Sequence, residues 1–349
     1  MGIFEHQDRA RTRTTVLVAY FVISVVCIIA AVYIVSILIF YNAHANQPHG
    51  SLPPELVLWD PAIFLYAALG TLSVVIIGSL YKIAALAKGG SVVAESLGGR
   101  LLSPDTADPS ERQLCNVIEE MAIASGMPVP RIYVLDDEPG INAFAAGHAP
   151  GDAAIGVTRG CMTLLNRDEL QGIIGHEFSH IANGDMRLDL RIMGVLFGIV
   201  CLSVIGQVLL YSRGGRDRNP LFLLGLALIV IGSIGVFFGR LIQAAISRQR
   251  EFLADASSVQ FTRNPAGLSS ALQKLGGTGS RVRSAHAGEA SHMFFGNGMG
   301  KSFLGAALAT HPPLAERIHA VDPSWDGKFH RGAITIDEAE SSPGSEGHL

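Results

Sequence analysis

Four long apolar segments without a charged residue limit what this chain can fold into. A helix needs about 20 apolar residues to cross the hydrocarbon core of a bilayer, and each segment reaches that length. The whole chain is 49% hydrophobic and 16% charged, a composition typical of membrane proteins. We therefore predict two hairpins, and so four transmembrane helices, in a lipid bilayer. The segments are Thr14 to Tyr41, Pro61 to Tyr81, Ile192 to Ser212 and Asn219 to Gly239.

The basic residues predict how the first hairpin is oriented. Its connection, from Asn42 to Asp60, contains no Lys or Arg, so we expect this loop outside and both flanks in the cytoplasm. The connector of the second hairpin carries three arginines and conflicts with an outside position. The net charge is only −4, and no basic stripe with interleaved aromatic residues occurs, which argues against a nucleic-acid partner. The flanking basic residues are Arg9, Arg11, Arg13, Lys82, Lys88 and Arg100, and the conflicting ones are Arg213, Arg216 and Arg218.

Between the hairpins, prolines, charges and alternating patterns predict a water-exposed α+β domain. A helix ends near Gly126, three strands follow, and another helix begins at Asp168. The predicted fold class is an integral membrane protein, mainly α with a small β-sheet, with the α+β domain carried on about four transmembrane helices. The predicted strands are Arg131 to Asp137, Ile141 to Gly147 and Ala153 to Gly160.

These patterns also predict how the chain is divided. The stretch from Gly276 to Lys301 is rich in glycine and serine and predicts a mobile loop. The predicted parts are a cytoplasmic segment 1–13, transmembrane helix 14–41, external loop 42–60, transmembrane helix 61–81, first part of a cytoplasmic domain 82–190, second hairpin 191–240, second part of the domain 241–335, and a disordered acidic tail 336–349.

The stretch GIIGHEFSHIANGD, from Gly172 to Asp185, carries an HExxH pattern on a predicted helix. His176 and His180 lie one helical turn apart, so both imidazoles can reach one zinc ion, and Glu177 is close enough to handle a proton. The alternative is a polar helix face whose histidines only form hydrogen bonds. Charged neighbours place the stretch in the water-exposed domain rather than in the middle of the bilayer.

A second acidic pattern supports the zinc interpretation. In REFLAD, Glu251 and Asp255 lie four residues apart on one helical face beyond the second hairpin. A catalytic zinc usually has three protein ligands and a water, and His2Glu is a recurrent set, so Glu251 is the predicted third ligand of one Zn²⁺ per chain. Asp255 is placed to accept the N–H of a ligating histidine, which fixes the ring tautomer. The alternative is a solvated acidic helix face.

Two residues near the end of the domain are candidates for stabilising an oxyanion. They are His311 in THPP and Arg317, one and a half helical turns later. The alternative for His311 is a residue that only starts a helix before Pro312 and Pro313.

The strand INAFAAG predicts a way to bind substrate, because an extended peptide can add to a free strand edge through its backbone. Phe144 in this strand is expected in the core. Together, GHEFSHIANGD, SRQREFLAD, INAFAAG and THPPLAERI between two apolar hairpins resemble the HtpX-type membrane metalloproteases of the gluzincin clan, relatives of the CAAX prenyl endopeptidases.

This resemblance implies a zinc endopeptidase, EC 3.4.24 type, of the bacterial inner membrane with its protease domain in the cytoplasm. It also implies a role in stress response and protein quality control, with unfolded or misfolded membrane proteins as substrates. In similar gluzincins the Asn-Ala of the edge strand holds the substrate backbone, which corresponds to Asn142 and Ala143. No sequence feature sets an oligomeric state.

Three other functions are alternatives. A transporter is disfavoured because the apolar segments contain no Asp, Glu, Lys, Arg or His to line a path. A non-catalytic scaffold has no support, because all three predicted ligands and the base are present. An enzyme specific for prenylated CAAX peptides is nearer, although those relatives have seven spans and this chain has four predicted ones.

Overall fold

The computed structural model shows a helical membrane protein with a small sheet, as predicted. It describes residues 3–45, 59–211, 220–278, 280, 282, 284, 290, 293–296 and 311–329; the predicted tail and most of the predicted external loop lie outside these residues. In chain order the elements are α1 (Ile3–Ala45), α2 (Pro61–Leu86), α3 (Gly90–Ser96), β1 (Arg100–Leu101), α4 (Pro109–Ser125), β2 (Arg131–Leu135), β3 (Ala143–Ala146), a 3-10 turn (Pro150–Asp152), β4 (Ala154–Thr158), α5 (Arg159–Leu164), α6 (Arg167–Asn183), α7 (Asp185–Tyr211), α8 (Pro220–Thr262), α9 (Pro265–Thr278) and α10 (Leu314–Val321).

Among the described residues, four helices are long and apolar enough to cross a membrane. At most 33% of the most apolar window of any of them is buried inside the protein. The rest of each apolar surface needs lipid around it, because soluble proteins rarely expose such large apolar patches. The spans are Phe21–Tyr41, Pro61–Leu86, Asp185–Tyr211 and Leu221–Leu241.

The helices extend beyond the predicted segments, because a helix satisfies its own backbone hydrogen bonds in water as well as in lipid. The second helix ends at Leu86 rather than Tyr81, and α7 begins at Asp185 rather than at residue 191. Helix α8 continues from the fourth span to Thr262. Both helices of the second hairpin therefore extend without a break into the water-exposed domain.

Close packing between α2 and α7 depends on small residues. A Cβ at Gly198 would lie 2.3 Å from the carbonyl oxygen of Val75 and 2.2 Å from Ser79 Oγ. Only glycine allows the two helices to approach this closely, as is common between transmembrane helices.

The sheet has the order β1-β2-β4-β3, which leaves β3 at one edge. Strands β2 and β4 are parallel, and β3 is antiparallel to β4 with Phe144 opposite Gly156. A Cβ at Gly156 would lie 2.2 Å from the Phe144 ring, so this glycine makes room for the aromatic side chain. Phe144 is buried as expected, and all three predicted strands are confirmed with shorter ends.

Helix α6 packs between the sheet and helices α4, α8 and α9. It begins at a capping box formed by Asn166 and Glu169, and it ends at Gly184, which has the left-handed conformation typical of a C-cap. A Cβ at Gly175 would lie 2.9 Å from Ser258 Oγ, so this glycine brings α8 close to α6. Although the stretch was expected in a water-exposed domain, its HExxH face is buried beneath these elements.

Candidate metal centre

Three side chains from two helices converge beside the edge strand. Helix α6 contributes His176 and His180, and α8 contributes Glu251, with ligand atoms that all lie within 4.8 Å of one another. The two Nε2 atoms are 3.1 Å apart, and each lies 3.6 Å from a Glu251 carboxylate oxygen. The residues predicted as metal ligands are thus brought together by the fold.

Each histidine is oriented by a carboxylate on its other ring nitrogen. His176 Nδ1 lies 2.9 Å from Asp255 Oδ1, and His180 Nδ1 lies 2.9 Å from Asp185 Oδ2. An N–H donated by each Nδ1 leaves the Nε2 lone pairs directed at the cluster, as in carboxylate–histidine–metal arrangements. Asp255 was predicted from the sequence, but Asp185 was not. Asp185 follows the Gly184 cap and also pairs with Arg250 at 3.1 Å.

The two histidines differ in their electrostatic surroundings. Burial lowers the pKa of His176 to about 4. Burial also acts to lower the pKa of His180, but the hydrogen bond and negative charge of Asp185 outweigh it and raise that pKa to about 10. A metal ion binds the neutral form of an imidazole, so metal affinity should rise with pH.

The carboxylate of Glu177 is buried next to the cluster. Its side chain is only 1% exposed, and neither oxygen has a hydrogen-bond partner among the described residues. This burial raises the pKa of Glu177 to about 8. A carboxyl group with such a pKa can both accept and release a proton near neutral pH.

The two candidates for oxyanion stabilisation have different surroundings. Arg317 is fully buried and donates to both oxygens of Asp255, at 2.9 and 2.7 Å, and to the carbonyl of Phe295. His311 Nδ1 lies 2.6 Å from Glu251 Oε2, while its Nε2 is buried without a partner among the described residues. His311 also lines the cleft beside the cluster, so its Nε2 is the ring nitrogen that could bind a substrate atom.

Asn142 and Ala143, the residues predicted to bind substrate, contact the chain's own backbone in this structure. The Asn142 amide hydrogen-bonds to the backbone of Gly296 and Ser280, and the Ala143 carbonyl accepts the N–H of Phe295. Residues 293–296 of the glycine-rich stretch, which was predicted as a mobile loop, are thus buried against the site, and Gly276 to Thr278 belong to α9. Two adjacent phenylalanines, Phe294 and Phe295, were the signal in the sequence for this packing.

Comparison with known proteins gives the family of this arrangement. Residues 109–324 match the profile of peptidase family M48. A protein named protease HtpX homolog from Streptococcus uberis is 36% identical over 257 residues, covering 71% of this chain and 84% of its own length. Another of that name, from Caldanaerobacter subterraneus subsp. tengcongensis, is 43% identical over 223 residues, covering 61% and 72%.

Among solved structures, the crystal structure of S. mikatae Ste24p aligns with a TM-score of 0.41 and 16% sequence identity. The alignment covers 82% of this chain and 61% of that chain. A similarity at this level gives no information about function.

Proposed function

Since this chain belongs to the HtpX-type metalloproteases of peptidase family M48, we propose that it is a zinc endopeptidase that hydrolyses peptide bonds of misfolded or damaged membrane proteins. Its four candidate spans make it a multi-pass membrane protein, and a protease acts on peptide substrates. The observation that carries the proposal is the convergence of His176, His180 and Glu251 beside a buried glutamate.

The ligand spacing supports zinc. Two nitrogen ligands at about 2.0–2.1 Å from a tetrahedral zinc are about 3.3 Å apart, close to the 3.1 Å between the Nε2 atoms of His176 and His180. Two nitrogens and a carboxylate are also the donor set of many catalytic zinc sites. When bound, zinc supplies a Lewis acid that acidifies a water molecule and polarises a carbonyl group.

Glu177 is the proposed general base and acid. Its unpartnered carboxylate takes the proton of the attacking water and then passes it to the leaving amine. Burial suits this role, because loss of solvation disfavours the charged form and keeps the pKa of Glu177 near neutral.

His311 is the proposed oxyanion donor, since it lines the cleft and its Nε2 has no hydrogen-bond partner among the described residues. Arg317 is better suited to positioning. Its guanidinium holds Asp255 and lies 3.3 Å from Glu251, so it fixes one ligand and the carboxylate partner of another. The oxyanion role of either residue remains a prediction.

The proposed location is a bacterial inner membrane, with the protease domain facing the cytoplasm. Support comes from the basic flanks of the first hairpin and from α7 and α8, which lead from the second hairpin into the site. A domain held next to the bilayer is placed to act on unfolded segments of membrane proteins.

A sided membrane preparation tests the metal, the reaction and the orientation together. Inverted vesicles containing the full chain should cleave externally added labelled casein, whereas right-side-out vesicles should not. A chelator should stop cleavage, and zinc at about one ion per chain should restore it. Vesicles without the chain are the control, and a prenylated CAAX peptide is the competitor.

Cleavage that resists the chelator would contradict the proposed metal dependence. Cleavage only by right-side-out vesicles would contradict the proposed cytoplasmic orientation of the protease domain. Strong preference for the prenylated peptide would favour the CAAX-type alternative instead.

The Asp185→Asn variant tests the orienting role of Asp185, which the sequence analysis missed. The neutral side chain keeps the shape but removes the charge that holds His180, so zinc affinity should fall by about 10–100-fold. Competition with a coloured chelator measures the affinity, and Asp137→Asn, at an exposed position, is the matched control. Unchanged affinity in the Asp185 variant would show that this residue only starts α7.

A further inference from the structure

A short segment of the chain occupies the free edge of the sheet. This edge segment, Met293–Gly296, runs antiparallel to β3, with Phe294 bridged to Phe144. The N–H of Phe295 donates to the Ala143 carbonyl at 2.8 Å. The rings of Phe144 and Phe294 pack edge to face with centroids 5.8 Å apart. The Ala143 carbonyl, which would bind an incoming peptide, is therefore already in use.

The same is true of the side chain beside β3. Asn142 is fully buried; its Oδ1 accepts the N–H of Gly296 at 3.2 Å, and its Nδ2 donates to the Gly296 carbonyl at 3.4 Å and to the Ser280 carbonyl at 2.9 Å. Both polar atoms of the amide thus hold the chain's own backbone. Asn142 and Ala143 therefore bind the backbone of Phe295 and Gly296 in the way that they are expected to bind the backbone of a substrate.

The edge segment also covers the predicted zinc ligands. The Phe295 ring lies against His176, with ring centroids 4.9 Å apart, and the Arg317 guanidinium lies 4.9 Å from the same Phe295 ring. Met293 and Phe294 line the cleft at His180, which has a cavity of about 20 Å³. This volume holds roughly one water molecule, so Met293 and Phe294 take up space beside the predicted ligands that a bound peptide would need.

We propose that the edge segment is an internal competitor for the substrate position, so that the protease must release it before a peptide can pair with β3. This inference rests on the proposed function. Two strands cannot hydrogen-bond to one edge at once, so substrate affinity is reduced by the fraction of molecules whose edge is free.

The burial of the edge segment also indicates the class of substrate that displaces it. Phe294 and Phe295 are each 1% exposed, so their release exposes two large aromatic rings unless the incoming peptide fills the same space. An extended segment with bulky apolar side chains does so, and a polar one does not. Unfolded membrane-spanning sequences have this composition.

Gly296→Ala is the test variant, because its added Cβ would lie 2.6 Å from Ser280 Cβ and push the edge segment away. We expect kcat/KM for labelled casein to rise by about three- to tenfold. Adding Ser280→Gly should return it toward wild type by removing the clash. Gly151→Ala is the matched control, since a Cβ there meets nothing within 4 Å and activity should stay unchanged. Unchanged or lower kcat/KM in metal-loaded Gly296→Ala would overturn the proposal.

Hydrogen exchange gives a second measurement that does not depend on that variant. In metal-loaded Glu177→Gln protein, the amide hydrogens of Phe295 and Gly296 should be protected and should exchange faster when saturating casein is bound. Protection that persists with casein bound would mean that the segment is a permanent part of the sheet. If wild type bound no zinc and cleaved nothing, the proposed function itself would fail. If wild type were active and Gly296→Ala were equally active, only the competition by the edge segment would be overturned.

Discussion

Replacing Glu177 by Gln is expected to lower kcat/KM for an unfolded protein by about 10²–10⁴-fold while zinc stays bound. Gln has nearly the same shape as Glu but cannot take a proton from water. None of the cluster contacts involves Glu177, so the metal ligands should keep their positions. Metal content and casein cleavage by the detergent-purified full chain measure the two effects separately.

The Glu177→Gln variant should also differ from wild type in its melting temperature. Because burial raises the pKa of Glu177 to about 8, the folded metal-free protein holds this proton more tightly than the unfolded chain. The unfolded chain loses this proton at a lower pH than the folded protein does. The free energy of unfolding therefore falls as the pH rises from the unfolded pKa of about 4.5 toward 8. A neutral Gln avoids that loss, so metal-free Glu177→Gln should melt at a higher temperature than metal-free wild type at pH 8.

The exposed Glu119 on α4 offers a matched control, and Glu119→Gln should leave cleavage and melting unchanged. Cleavage by zinc-loaded Glu177→Gln at the wild-type rate would show that another group moves the proton.

Local patterns in the sequence predict the helices that carry the site and the ligands on them. HExxH and the Glu251–Asp255 pair each depend on four-residue spacing along one helix, which the chain determines without reference to the rest of the fold. The strand INAFAAG was likewise predicted from its local pattern, and its edge position is given by the order of the sheet. These features survive in the structure because they are properties of single elements.

Contacts between distant segments were harder to predict. Asp185 lies five residues after His180, which is not a helical-face spacing, and it reaches the ring only because Gly184 ends α6 in a left-handed turn. The edge segment is far in sequence from β3, and its glycine-rich surroundings resemble a loop. Arg317 likewise meets Asp255 only when α10 packs against α8.

The positions of Asp185 and Glu251 indicate how the membrane part stabilises the site. Asp185 is the first residue of α7, and Glu251 lies on the continuation of α8. The carboxylate that orients His180 and the predicted third ligand therefore each belong to a membrane-crossing helix. Truncating the second hairpin would therefore remove support from the metal site as well as the membrane anchor.

Replacing Glu251 by Gln is the change that should affect the metal most. It removes the negative ligand, so zinc affinity should fall by more than the roughly 100-fold that loss of an outer partner causes, and cleavage should be lost with it. Burial acts to raise the pKa of Glu251, but His311 and Arg317 outweigh it and keep that pKa below its usual range, so the carboxylate is charged in the folded protein.

Loss of that charge should also destabilise the fold. Arg317 is fully buried, and removing one partner of a buried ion pair typically costs about 3–5 kcal/mol. Asp255 remains as its second partner, so the lower end of that range is expected.

Glu316→Gln, at an exposed position one residue from Arg317, should change neither zinc content nor melting. Full zinc content with normal cleavage in Glu251→Gln would show that the third ligand is another group, whereas zinc loss here and zinc retention in Glu177→Gln would separate the ligand from the base.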